Sequence, residues 1–207
     1  PRPGHIGRDS GGAHCLKYGG TSNNLMGGEM VTPTGEIVRL GGKHLDAGGL
    51  DLLGLITGSE GTLGMVTEAT LRILRSPESA RPILYGFETS AVAGECVDAI
   101  ISSGIIPVAI EFMDKPAIHA TERFAHAGYP LDVEALLIIE VAGSNDEIDT
   151  MLGRIQKIAA DFNPAYERVA KSAAESLAIW KGRKSAFGAI GRISPDYFCM
   201  DGTIPTG

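Results

Sequence analysis

Gly58-Ser59-Glu60-Gly61-Thr62-Leu63-Gly64 sets glycine at every third position. That spacing keeps side chains off one path of the backbone, permits positive φ and lets main-chain N–H groups approach a ligand closely. The loop can cradle a flat or phosphorylated group, or it can be a tight structural turn. Residue types alone favour the turn, because glycine-rich turns are common connectors. Two other places could do chemistry. His119, Glu122 and His126 are three and four apart, so they share a helix face as a metal or acid–base cluster would. No complete ligand set forms around them, and Glu four residues before His is ordinary surface patterning. Arg183 follows Trp180 by one turn in a helix whose Leu177, Trp180 and Phe187 make an apolar stripe, so its guanidinium should be half-buried. An arginine there forms a structural ion pair or offers a bidentate fork to a substrate carboxylate; residue types alone favour the ion pair.

Several chemistries are excluded. No Gly-x-Gly occurs in the chain, which removes the dinucleotide fingerprint, and there is no Gly-Lys-Ser/Thr phosphate loop. Gly41-Gly42-Lys43-His44 lacks the following hydroxyl and the upstream glycine spacing, and is expected to be an exposed loop. Lys plus Arg total 18 against 25 Asp plus Glu, and the net charge of −7 argues against a general polyanion-binding role. Cys15, Cys96 and Cys199 are odd in number and widely spaced, so neither a disulfide framework nor a self-contained iron–sulfur or zinc site is suggested. No run approaches eighteen consecutive apolar residues, and Pro-Arg-Pro-Gly-His lacks the apolar centre of a secretory signal. The expected location is cytoplasmic, at most peripheral at the inner membrane.

The elements that must position these residues follow from periodicity. Leu52, Leu53, Leu55 and Ile56 predict a short helical turn, and residues 65–74 alternate as a strand, so the glycine loop joins helix to strand. Residues 29–33 and 36–40 predict a β-hairpin turning at Thr34-Gly35. Residues 1–8 have no apolar period and predict irregular chain, an altered or truncated start. Ser76-Pro77-Glu78-Ser79 has the composition of a domain edge, so domains are expected at 1–77 and 78–207. Beyond it, strands are predicted at 83–89, 108–113, 136–141 and 166–170, with helices at 91–103, 115–127, 147–162 and 172–187. Alternation of this kind suits an α+β sandwich, with helices on one face of an antiparallel sheet in a ferredoxin-like arrangement.

The glycine loop followed by Thr67-Glu68-Ala69-Thr70-Leu71 resembles the signature of FAD-linked oxidases of the vanillyl-alcohol-oxidase type. Residues 10–19, Ser-Gly-Gly-Ala-His-Cys-Leu-Lys-Tyr-Gly, and 191–205, Gly-Arg-Ile-Ser-Pro-Asp-Tyr-Phe-Cys-Met-Asp-Gly-Thr-Ile-Pro, resemble within that family the FAD-bearing D subunits of bacterial glycolate oxidases. The likeness covers nearly the whole chain. It implies the second half of a PCMH-type FAD-binding domain followed by a ferredoxin-like α+β cap domain, incomplete at its C-terminus. It also implies that Ser10, Gly11, Gly12, Gly58, Glu60, Gly61, Gly64 and Val66 line the FAD. At Arg183 it reverses the odds, because the matching arginine in related 2-hydroxy-acid dehydrogenases binds the substrate carboxylate. Two departures stand out: only Gly4 matches the family's Ile-Gly-Gly-Asn loop, and Asp9 replaces an Asn, where a carboxylate would disfavour an anionic reduced flavin.

The resemblance implies an FAD-dependent 2-hydroxy-acid dehydrogenase that oxidises glycolate to glyoxylate. Its partners would be a second flavin-type subunit and an iron–sulfur subunit that takes the electrons. D-lactate and D-2-hydroxyglutarate dehydrogenases are the nearby alternatives, and a non-catalytic interaction module keeping the fold is the distant one. The family's pyrophosphate-binding half would precede residue 1, and the His-rich segment with metal ligands and catalytic base would follow residue 207. These 207 residues alone are therefore expected to be inactive and prone to self-association.

Overall fold

A computed structural model of the chain describes residues 3–44, 49–200 and 202. Pro1 and Arg2 of the start, and Asp201 and 203–207 at the end of the 191–205 stretch, lie outside the described residues. The chain divides into two compact units, one made of residues up to Glu78 with Ile106–Ala109, the other of the remainder.

The first unit is built on a three-stranded sheet in the order β2-β1-β3, with β2 (Ile37–Gly41) and β3 (Met65–Leu71) antiparallel on either side of β1 (Leu25–Val31). The predicted hairpin is β1–β2, closed by Thr32 N–H donating to Glu36 O at 2.9 Å, with Gly35 at φ +85°. Gly41, expected in an exposed loop, ends β2 opposite Gly27 instead. At φ +65° any side chain on it would run into the Met26 carbonyl. Four short helices surround the sheet: α1 (Pro3–Gly7), α2 (Cys15–Tyr18), α3 (Thr21–Asn24) and α4 (Leu52–Ile56). Asp51 caps α4, its carboxylate accepting from Gly54 N–H at 2.9 Å. The core packed about this sheet is small: among the described residues up to Glu78, the buried apolar side chains are Ile6, Leu25, Met30 and Ile56.

The second unit carries the larger core. Its four-stranded sheet has the order β5-β6-β4-β7, from β4 (Ser79–Phe87), β5 (Ala109–Asp114), β6 (Ala135–Gly143) and β7 (Tyr166–Val169). β4 lies antiparallel between β6 and β7. This is the ferredoxin-like strand order, with one helix inserted between β5 and β6. The helices are α5 (Ser90–Ser102), α6 (Lys115–Ala125), α7 (Asn145–Ala160), α8 (Ala173–Lys184) and α9 (Ala186–Ile193). Thr89, Asp114, Ser144 and Ser172 cap the first four with side-chain oxygens, and Ser144 with Glu147 completes a capping box.

Two expectations need correction. The helices cover both faces of this sheet, not one: Ile83, Tyr85, Phe87, Leu137, Ile139 and Val141 pack with α5 and α7 on one side. Leu84, Leu136 and Ile138 pack with Ile118 of α6 and Ile179 of α8 on the other. The reason lies in β6, whose Ala135-Leu-Leu-Ile-Ile run is apolar at consecutive positions and so needs cover on both faces. The second correction is at Ser185, where the helix predicted over 172–187 breaks in two. The Ser185 hydroxyl donates back to Lys181 O at 2.7 Å, and its N–H bonds both Lys181 O and Gly182 O, which closes α8.

Candidate functional site

In the first unit the glycine loop is held by a helix that sequence patterning does not reveal. Gly58 N–H donates to Ile6 O at 2.8 Å and Glu60 N–H to Gly7 O at 2.6 Å, so the loop is fastened to the end of α1. The backbone takes positive φ at Gly58 (+80°), Glu60 (+52°), Gly61 (+81°) and Gly64 (+153°). For Glu60 this left-handed conformation is strained, at about 1 kcal/mol or more, and the bond to Gly7 holds it there.

The glycines of the loop are not equivalent. A Cβ at Gly64 would sit 2.5 Å from Val31 O and 2.9 Å from Met30 Sδ, so this glycine is required by packing on β1. Gly61 faces open space, with nothing within 4 Å of an added Cβ, and its N–H makes no hydrogen bond among the described residues. Gly12 is equally open, and its N–H donates to Cys15 Sγ at 3.0 Å. Gly11 meets only Cys15 Sγ, at 3.6 Å. The structure brings the two glycine stretches together: Ser10 N–H bonds His5 O at 2.9 Å from the same helix that anchors Gly58, and a Cβ at Gly58 would lie 3.6 Å from Asp9 Cβ. Asp9, at φ +46°, uses its carboxylate on Ser22 N–H at 2.9 Å, a structural role at the start of α3. Val66 sits in β3 opposite Met30, half-buried. Gly12 and Gly61 each leave bare backbone with open space before it, as the approach of a flat cofactor would require; Gly64 is explained by the fold.

In the second unit Arg183 lies near the C-terminal end of α8. Its Nε–H donates to Glu111 Oε2 at 2.8 Å, with the Arg and Glu side chains 33% and 16% exposed. Of the two residue-level alternatives the ion pair is present, and it occupies only Nε. Neither Nη group makes a hydrogen bond among the described residues. Helix α8 is set on the sheet differently from its expected stripe. Leu177 and Phe187 are exposed, and the buried residues are Ile179 and Gly182. Gly182 lies against the Tyr129 ring so closely that a Cβ would collide with it, and the Tyr129 hydroxyl donates to Ile179 O at 2.5 Å. Burial pushes the Tyr129 hydroxyl pKa up to about 12, against the pull of Arg183 and Arg168. Trp180 Nε1–H donates at 2.7 Å to Oε1 of Glu140, a buried carboxylate on β6. Glu111, Glu140 and Tyr129 carry no motif spacing. Glu111 and Glu140 are each marked only by an acidic residue inside an otherwise apolar strand run, and Tyr129 by nothing.

The His119, Glu122 and His126 set proves structural. Glu122 accepts from Gly128 N–H at 3.1 Å and Tyr129 N–H at 3.0 Å, clamping the turn after α6. His126 caps that helix at φ +51°, and His119 Nε2 bonds Leu131 O at 3.0 Å. Among the described residues no group of three or more His, Cys, Asp or Glu could hold a metal ion, and no helix is long and apolar enough to cross a membrane. The three cysteines are free thiols, and burial raises the Cys96 pKa to about 11.

Residues 76–206 match the family model for FAD linked oxidases, C-terminal domain. Glycolate oxidase subunit GlcD of Escherichia coli (strain K12) is 47% identical over 202 residues, 98% of this chain and 40% of that protein. GlcD of Bacillus subtilis (strain 168) is 36% identical over 203 residues, 98% of this chain and 43% of that protein. A D-lactate dehydrogenase of Anaerostipes hadrus is 30% identical over 195 residues, 90% and 41% of the two. The chain therefore spans about two fifths of the length of these relatives. Among solved structures, alkyldihydroxyacetonephosphate synthase shares the fold with a TM-score of 0.69 at 23% identity, over 92% of this chain and 36% of that one.

Proposed function

Because the chain belongs to the FAD-linked oxidases, we propose that it is the part of a glycolate-oxidising dehydrogenase that lines one wall of the FAD and grips the carboxylate of the substrate. The observation that carries the substrate half is Arg183: a half-buried guanidinium, fixed through Nε, with both Nη groups unbonded among the described residues. That leaves the end-on fork whose two parallel N–H groups match a carboxylate. The cofactor half is supported by the bare backbone of Gly11, Gly12 and Gly61, beside Ser10, Gly58, Glu60, Gly64 and Val66. When bound, FAD supplies the two-electron acceptor for the hydride equivalent leaving the substrate α-carbon, while the hydroxyl proton goes to a base and the acid becomes its 2-oxo product. Arg183 binds the substrate carboxylate and holds the acid in one orientation. No residue of these 207 is assigned as the base.

Glycolate is the preferred acid because GlcD is the relative with the higher identity, 47% against 30% for the D-lactate dehydrogenase. The relative is named as a subunit, so the reading includes a multi-subunit complex, with a second flavin-type subunit and an iron–sulfur subunit that takes the electrons. The domain roles follow: residues 1–77 as part of the FAD-binding domain and 78–207 as the substrate cap. The test is Arg183→Lys in the full gene product, which keeps the charge and loses the planar fork. We expect kcat/KM for glycolate to fall by about 1.5–3 kcal/mol, the worth of a hydrogen bond to a charged group, with FAD content unchanged. Unaltered kcat/KM for glycolate, D-lactate and 2-hydroxyglutarate alike would remove Arg183 from the substrate site.

A further inference from the structure

We propose that Glu111 is a positioning residue that turns Arg183's fork toward the substrate, an inference that rests on the carboxylate-binding reading of Arg183. Arginine has four rotatable side-chain bonds, and an unanchored guanidinium would sample many orientations before meeting a ligand. In this protein the stem is fixed from two directions. Helix α8 is brought onto the sheet by the missing side chain at Gly182 and by the Tyr129 hydroxyl bonding Ile179 O, which settles where the Arg183 backbone starts. Glu111 then takes Nε–H at 2.8 Å, which settles the plane in which the guanidinium lies.

Glu111 occupies an odd site for a carboxylate. It belongs to β5, two residues from the buried Met113, so strand alternation sets it on the sheet face that packs against α6 and α8. Its side chain is 16% exposed and its partner is Arg183, on an element 72 residues away in sequence. A structural ion pair would be served as well by a bidentate grip on Nε and Nη2 together, the commoner way to satisfy both oxygens. Binding through Nε alone leaves both Nη groups for an incoming carboxylate.

The electrostatic and geometric effects of Glu111 have opposite signs. Its negative charge weakens the pull of Arg183 on an anion, so by Coulomb's law its removal should tighten substrate binding. Its hydrogen bond pre-orders the fork, so by geometry its removal should loosen substrate binding. Positioning as the main role means the geometric term prevails, and two variants separate the terms. Glu111→Gln keeps an acceptor oxygen at the same reach and loses the charge; Glu111→Ala loses both.

In the full holo gene product, we expect Glu111→Gln to hold KM for glycolate at or below the wild-type value. Glu111→Ala should raise KM on the order of 10-fold or more, with kcat within about 3-fold and FAD content unchanged. In an Arg183→Lys background the Glu111→Ala change should add less than about 2-fold, since the fork it orients is already gone. Should Ala fail to fold, the near-isosteric Gln variant still decides, because KM rising about 10-fold there would mean that charge pairing, not orientation, is what Glu111 supplies. An unchanged KM in Glu111→Ala, or a loss that persists in full in the Arg183→Lys background, overturns the positioning role while Arg183→Lys itself remains defective. If Arg183→Lys is unimpaired, the carboxylate reading fails first and this inference with it.

Discussion

The glycines of the 58–64 loop look alike in sequence and differ in what the structure asks of them. Gly64 must be glycine because β1 fills the space its side chain would need, and Gly64→Ala should destabilise the first unit by about 1–3 kcal/mol, the usual effect of overpacking. Thermal melting of the purified variant checks this. Gly61 meets nothing, so the folded chain accepts a side chain there apart from the strain of φ +81°. Gly61→Val in the full gene product should therefore leave the fold in place and empty the flavin site, read from the flavin absorbance of the purified protein. A full flavin complement would take this loop out of the cofactor wall. The spacing of three glycines was legible, but their separate roles were not, because the partners Met30 and Val31 lie over thirty residues upstream and leave no mark in a local pattern. Arg183 was legible as half-buried, and the ion pair it forms through Nε leaves its Nη groups for the carboxylate role proposed above.

Elements with a clear period were readable and short ones were not. The hairpin of β1 and β2, the strands β4 to β7 and helices α5 to α7 all carry patterns long enough to register, and their ends shift by a few residues where caps such as Ser144 intervene. Helix α1 has only five residues, Ile6 buried among them, so no periodicity could announce it, yet it anchors the glycine loop. Helix α8 was legible as a helix but not in its facing, because Gly182, the residue that decides its approach, carries no hydrophobicity at all. Gly182→Ala should push α8 off Tyr129 and cost about 1–3 kcal/mol of stability by the same overpacking rule, measurable by denaturant unfolding. The Tyr129 contact also makes stability pH-dependent. Burial raises the tyrosine from its ordinary 10.0 to about 12, so the protonated form is favoured in the folded state. A raised folded pKa gives stability that is complete below the unfolded pKa and lost as pH climbs through the folded one. The buried Cys96 thiol, raised from 9.0 to about 11, acts in the same direction at slightly lower pH. Stability should therefore fall from about pH 9 upward, and Tyr129→Phe should lessen the fall above about pH 10, the rest of which belongs to Tyr85, whose hydroxyl burial also raises.

At the scale of the whole molecule, stability is unevenly shared. The second unit buries two apolar layers on its sheet, whereas the first buries few apolar side chains among its described residues and leaves Met65, Leu50 and Ile73 71%, 85% and 93% exposed. Amide exchange should reflect this, with β4 and β6 the slowest and β2 and β3 exchanging well before them. Uniform protection across both sheets would show that the first unit is more firmly held than its packing allows. The same exposed apolar surface should make the isolated chain self-associate, with a sedimentation coefficient that rises with concentration. The function proposed for the assembled protein meets its most direct test in an anaerobic titration of the full gene product with glycolate, following the visible absorbance of the flavin. Bleaching of the flavin by glycolate is expected, with half-saturation displaced to about 10-fold or more higher glycolate in Arg183→Lys at equal flavin content. A flavin that stays oxidised with glycolate, D-lactate and 2-hydroxyglutarate, or one that bleaches identically in both proteins, would contradict it.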